Sequence, residues 1–463
     1  MLSVANKLLD SWNKEGSSVS TMDDVFAWIN EINENTRVRI EEIPFSKGNF
    51  WFYDKNKGEI VNNKKSFFSI TGMSCSIDGA LYAQQPIILQ EEVGFLGIIA
   101  KEIDGVLHFL MQAKIEPGNV NGVQVSPTIQ ATRSNFTRVH GGHMPLYFDW
   151  FKEAKKHGTV LYDQIQSEQG SRFAGKRNRN IILLTNEEVP VHPNYKWMTL
   201  GQVKRLMKSD NLVNMDTRTV LSGLLTVLSG LDGDGLENFF RDKAFFRSVF
   251  QKDRELTKTA FSMLNDYKMY RDVSKKFISL ENLSGWVVDD NGITATEQAD
   301  FDVRYYAIEI EGREMQTWTQ PLFKAKSKAL FVLFTCADNG VREFLISLRP
   351  EIGCFDKVEF GPSIQIANSA DYDGNDAAYR LFCEKDKTKQ KFLVDVILSE
   401  EGGRFYHEQN RNVIIEIEKD ELPVSDDSLW VDYATLNALI SNNNLLNIQL
   451  RNLLSLLDWP REG

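Results

Sequence analysis

Residues 122–135 read GVQVSPTIQATRSN, and the first half alternates between apolar and polar with the period of a β-strand. One side of that alternation is Gln124, Ser126, Thr128, Gln130, Thr132 and Ser134, a row of short, uncharged hydrogen-bonding groups. A solvated strand face more usually carries Lys and Glu, so this row predicts a strand turned toward something polar. Upstream, DGVLHFLMQAKIE at 104–116 predicts a second strand with Val106, His108, Leu110, Gln112, Lys114 and Glu116 on one face. Near the end of each half, leucines recur at helical spacing, in LGQVKRLMKSDNLVNMDTRTVLSGLL and in ATLNALISNNNLLNIQLRNLLSLL, and each run predicts a closing helix.

These paired patterns belong to an internal duplication. Residues 95–130 align without a gap to 330–365, with about ten identical positions, among them Gly105/Gly340, Glu116/Glu351, Gly118/Gly353, Pro127/Pro362 and Gln130/Gln365. The likeness continues from SEQGSRFAGKRNRN at 167–180 to SEEGGRFYHEQNRN at 399–412, and from Trp51, Gln85-Pro86 and Trp197 to Trp286, Gln320-Pro321 and Trp430. Each copy predicts a strand pair closed by a type I′ dipeptide, Asp104-Gly105 or Asn339-Gly340. A loop, the alternating strand, a helix, a strand ending near Val189-Pro190 and the closing helix complete it. The expected organisation is α+β: a first module over 1–230, a helical connection over 231–280 and a diverged second module over 281–463, with mixed sheets flanked by helices. The Phe-rich connection is expected to pack the modules together or to form a subunit contact.

Composition narrows the function. The 463 residues are 42% hydrophobic and 25% charged, ordinary for a globular protein. A net charge of −11 opposes nucleic-acid binding and charge-driven membrane binding. The four cysteines form no CxxC pair and no zinc spacing, which favours a reducing compartment over a disulfide scaffold. No apolar run reaches spanning length and no signal peptide is legible, so a cytoplasmic location is expected.

The copies also disagree, and polar positions unique to one copy are candidates for chemistry. Thr132, Arg133 and Asn135 become Ala367, Asn368 and Ala370, and RVHGGH at 138–143 has no counterpart. The first module is therefore expected to hold the working site. His108 alone is more often a satisfied strand histidine than a catalyst. Arg172 and the Asn178-Arg179-Asn180 triplet recur in the second copy, so a structural ion pair or turn cap explains them as well as ligand binding does.

The stretches QAKIEPGNVNGVQVSPTIQATRSNFTRVHGG and SEQGSRFAGKRNRN closely resemble the nucleotide-sugar 2,3-dehydratases, and the resemblance covers nearly the whole chain, duplication included. It implies tandem Nudix-like modules, a homodimer, and an NDP-4-keto-6-deoxyhexose substrate, usually the dTDP-glucose derivative. It also implies a labile product passed to an NAD(P)H-dependent 3-ketoreductase. The glutamate-bearing helical box of Nudix hydrolases is missing from both copies; GREMQTW at 312–318 is too short for it. Loss of a C2 hydroxyl β to a C4 ketone needs a base, an enolate stabiliser and an acid. It demands no redox cofactor and no metal, and no GxGxxG follows a strand.

Read from the residues, His140 or His108 is the base and Lys114 polarises the substrate or donates a proton, with Glu116 orienting Lys114. Arg133, Arg138 and Arg172 are diphosphate candidates, because a planar fork suits phosphate oxygens. Gln112, Asn119, Gln124, Ser126, Thr128, Gln130, Thr132, Ser134, Asn135, Asn178 and Arg179 are the remaining candidates for substrate binding. Two competing readings are a Nudix-type NDP-sugar pyrophosphohydrolase and a non-catalytic nucleotide-sugar-binding protein.

Overall fold

The computed structural model describes residues 2–64, 67–132, 144–296, 299–313, 315–370, 372–374 and 376–458. It is a mixed α+β structure with two similar sheet-rich halves. Among the described residues each half contributes one seven-stranded sheet. In the first half the order is Thr159–Ser167, Arg177–Thr185, Val93–Ile103, Val106–Ile115, Tyr195–Thr199; the short strands Val123–Ser126 and Ile129–Ala131 pair with Val106–Ile115 and Val93–Ile103. The pairing of Arg177–Thr185 with Val93–Ile103 is parallel and the others are antiparallel. The second half repeats this order from Phe392–Ser399 through Gln409–Glu416, Ala329–Asp338 and Val341–Arg349. Asp104 and Gly105 have φ of 50° and 79°, and Asn339 and Gly340 have 49° and 76°, the left-handed pair a type I′ hairpin requires.

The two smaller, five-stranded sheets exchange a strand. Val38–Glu42 leaves the first half and pairs with Phe301–Ile310 of the second. Val273–Ile278 leaves the second half and pairs with Ser69–Ile77 of the first. The connection between the copies is thus helical only in part: Lys243–Val249 and Glu255–Tyr270 are helices, and the chain then becomes this exchanged strand.

Three other expectations are corrected. The segment opening at Gly122 is not one strand but two, Val123–Ser126 and Ile129–Ala131, broken at Pro127, which can give no ladder hydrogen bond. After the helical pieces Phe148–Lys152 and Ala154–His157 come three strands rather than one. Each closing helix is two: Leu200–Met207 and Met215–Ser222 in the first half, Tyr433–Ile440 and Ile448–Leu456 in the second. The breaks fall at Asn211 (φ 58°) and Asn444 (φ 55°), and Asn214 and Asn447 then cap the second segments. Met215–Ser222 and Ile448–Leu456 bury Val220, Leu221, Leu450, Leu453 and Leu454 in one core shared by both halves.

The loop after Ser167 and the loop after Ser399 also cross over. Gly118 donates to the carbonyl of Gly402 at 2.7 Å, and His407 donates back to Gly118 at 2.9 Å. In the mirror arrangement Gly353 donates to Gly170 at 2.7 Å, and Gly175 donates to Gly353 at 2.7 Å. A Cβ on Gly118 would lie 1.6 Å from the Phe405 carbonyl oxygen, and one on Gly353 would lie 1.9 Å from that of Phe173. This close approach explains why both glycines recur. The fully buried Arg218 donates to Ser399 O at 2.6 Å, and its counterpart Arg451 donates to Ser167 O, so each half holds the root of the other's loop.

Candidate active site

A cleft of about 820 Å³, within the range of small-molecule sites, opens where the first large sheet meets the loop delivered by the second half. Gln112, Lys114 and Glu116 enter it from strand Val106–Ile115 and the turn after it, alternating outward by period two as the sequence pattern predicts. Gln130 and Thr132 enter from beside Ile129–Ala131, and Asn178 from Arg177–Thr185. Trp51, Phe67 and Trp318 supply aromatic faces.

The remaining wall comes from residues that sequence reasoning did not select. Glu168, Lys176 and Asp216 belong to the first copy, and Arg313, Glu401 and Arg404 to the second. The cleft is therefore built by both halves, not by the first module alone. Gln320, whose counterpart Gln85 the repeat had flagged, donates to Gly403 O at 2.7 Å and steadies the incoming loop. The buried Arg404 guanidinium lies 4.3 and 4.4 Å over the rings of Phe67 and Phe68.

Lys114 and Glu116 form an ion pair of 2.8 Å with both side chains largely buried. Burial opposes ionisation of Glu116, but Lys114 and Arg313 outweigh it and hold the carboxyl below the usual glutamate range. Glu401 behaves oppositely: burial first, then the Glu116 charge, pushes it up to about 8. Burial, reinforced by Glu401, raises Glu168 to about 7, and burial pulls Lys176 down to about 8. Asp216 is also raised, by burial and then by the Glu168 and Glu116 charges. Asp216 Oδ1 and Glu168 Oε2 are buried with no hydrogen-bond partner among the described residues. Perturbed acids and bases gathered in one concavity make the cleft the candidate site for proton transfer. Among the described residues no cluster of His, Cys, Asp and Glu has the arrangement of a metal site.

Other candidates are accounted for elsewhere. His108 is fully buried at the far end of its strand, six residues or roughly 20 Å from Lys114. Its ring nitrogens meet Val106 O at 2.8 Å and Ser17 Oγ at 2.7 Å, so it ties the N-terminal segment to the sheet. Asn119 donates to Gly122 O at 2.7 Å and closes its own turn. Gln124 donates to Ser399 Oγ at 2.6 Å, across the halves. Ser126 Oγ accepts from Asn214 at 2.9 Å. Thr128 Oγ1 donates to Leu110 O at 2.5 Å and accepts from Ile99 N at 2.9 Å, stitching the gap where the strand breaks; Ser363 does the same in the second half. Arg172 stacks 4.2 Å over Phe301 and lies 3.4 Å from Glu408, outside the cleft. Arg179 makes a bidentate pair with Asp163, at 2.7 and 2.6 Å, as Arg411 does with Asp395. Arg133, Ser134, Asn135, Arg138 and His140 lie outside the described residues.

A family model described as NDP-hexose 2,3-dehydratase matches residues 22–224 and again 257–457. Three curated relatives carry the name dTDP-4-dehydro-6-deoxy-alpha-D-glucopyranose 2,3-dehydratase. The protein from Saccharopolyspora spinosa is 38% identical over 440 residues, 93% of this chain and 90% of its own. That from Streptomyces violaceoruber is 35% identical over 434 residues, covering 93% and 95%. That from Amycolatopsis orientalis is 33% identical over 457 residues, covering 95% and 92%.

Proposed function

Because the chain belongs to the NDP-hexose 2,3-dehydratase family, we propose that the two-half cleft removes water across C2 and C3 of dTDP-4-keto-6-deoxy-D-glucose. The observation that supports this most is the buried Lys114–Glu116 pair facing a wall of carboxyls of raised pKa. The C4 ketone acidifies the C3 proton, and the C2 hydroxyl then lies β to the carbonyl. Lys114, paired at 2.8 Å with the ionised Glu116, suits stabilising charge on O4 as the enolate forms. His140, in the segment that follows the cleft residue Thr132, is retained as the base for C3–H. Gln112, Gln130, Thr132 and Asn178 are assigned to sugar hydroxyls and the aromatic faces to the nucleobase. The diphosphate is assigned to Lys64 and Arg313 on the cleft wall, and Arg133 and Arg138 are kept as candidates from the sequence alone.

Elimination first yields the 2,3-enol, which tautomerises to a 3,4-diketo-2,6-dideoxy sugar. Vicinal ketones are labile, so consumption by an NAD(P)H-dependent 3-ketoreductase is part of the reading, as are a cytoplasmic homodimer and Nudix-like halves. The mixed sheets with one parallel pairing support the last of these.

A coupled assay that supplies the ketoreductase and offers dTDP- and GDP-4-keto-6-deoxyhexoses tests the proposal. Preferential turnover of the dTDP sugar is expected. Turnover of neither would overturn it.

A further inference from the structure

The duplication lets the cleft be compared with its own diverged twin. Lys114 corresponds to Arg349, Glu401 to Gln169, and Asp216 to Gln449. In each pair the cleft has a titratable lysine or carboxyl group. The twin has a group of similar size that is not titratable: arginine stays protonated and an amide does not titrate. The flanking residues are kept, since Glu116, Asn178, Asn214 and Arg218 match Glu351, Asn410, Asn447 and Arg451. The architecture has thus been preserved in both halves, and these three titratable groups in one.

Among the three, Glu401 is placed to act on substrate. It lines the cleft wall at the crossing loop, its Oε1 accepts the Gly403 amide at 2.8 Å, and it neighbours the ionised Glu116. A Cβ on Gly402 would lie 2.3 Å from Asn119 Oδ1 and 3.0 Å from Glu116 Cβ, so the loop packs directly against Glu116 and its turn. A carboxyl group presented to a carboxylate in this way retains its proton and has one to give.

We propose that Glu401, contributed by the second half, is the catalytic acid that protonates the departing C2 hydroxyl. This rests on the dehydratase reading above. The base takes the C3 proton, and that electron pair forms the C3–C4 double bond of the enolate. As the C4 carbonyl reforms, the pair moves to C2–C3 and the C2–O bond breaks. The leaving oxygen takes the Glu401 proton and departs as water.

The test is Glu401→Gln in the full chain, which installs the residue the twin already has. It is assayed on the natural hydroxyl substrate and on the analogue with fluorine at C2, a leaving group that needs no proton. Elimination of water should fall about 10²–10⁴-fold, while elimination of fluoride stays within roughly tenfold of the unaltered enzyme. Equal losses on both substrates, with the melting temperature preserved, would overturn the assignment. Should the amide variant fold poorly, Glu401→Asp is read the same way: a larger loss on the hydroxyl substrate supports it and equal losses refute it. Unaltered enzyme that neither eliminates nor exchanges the C3 proton with D₂O would refute the dehydratase reading instead.

Discussion

The Gly118 amide donates to the Gly402 carbonyl oxygen at 2.7 Å, and this bond seats a loop of the second half in the first half's cleft. Glu401 and Arg404 reach the cleft through that loop. Gly118→Ala would put a methyl group 1.6 Å from the Phe405 carbonyl oxygen. The expected cost is about 1–3 kcal/mol in urea unfolding, with a larger proportional loss of kcat because the loop moves. Unchanged stability and turnover would count against the crossing loop.

Lys114→Met removes the cation beside Glu116. Turnover should fall on the order of 10²–10³-fold, as for loss of one preorganised charge stabiliser. Binding of the nucleotide sugar, read as thermal stabilisation, should persist. A variant with near-normal kcat would remove Lys114 from the chemistry.

His108→Gln separates structure from catalysis. The histidine bonds Ser17 and Val106 beneath the N-terminal segment. Its loss should lower stability by about 1–3 kcal/mol and leave kcat of the folded enzyme nearly intact. A hundredfold loss of kcat without destabilisation would restore it as a catalytic candidate.

Much of this was legible in the chain and some of it was not. The duplication, the two left-handed hairpins and the choice of Gln112, Lys114, Glu116, Gln130, Thr132 and Asn178, which the structure places on the cleft wall, followed from repeat comparison, period-two alternation and resemblance. The polar row at Gln124, Ser126 and Thr128 misled because short polar side chains serve buried backbone as well as substrate. Here they bond Ser399, Asn214 and the Leu110 carbonyl. Arg313, Glu401 and Arg404 could not be placed from local pattern, since they reach the cleft only through the exchanged strands and crossed loops. Contrasting the copies at Gln169 and Glu401, or at Asp216 and Gln449, was the one available signal.

Activity should depend on pH through the buried acids. Glu401 sits at about 8 against an ordinary 4.5, so it keeps its proton through neutrality. A required proton donor then predicts kcat falling as pH rises through about 8, and Glu401→Gln should lose that limb. The sign for stability is the same: the raised acid's contribution is full below about 4.5 and is lost as pH rises through about 8. An alkaline limb that persists in Glu401→Gln assigns it to another group.

The central claim is a dehydration at C2 and C3, and NMR of the product formed in D₂O with the ketoreductase present tests it most directly. The account predicts a dTDP sugar that has lost the C2 oxygen and carries solvent deuterium at C2. Recovery of intact C2–O together with dTMP and a sugar phosphate would contradict it.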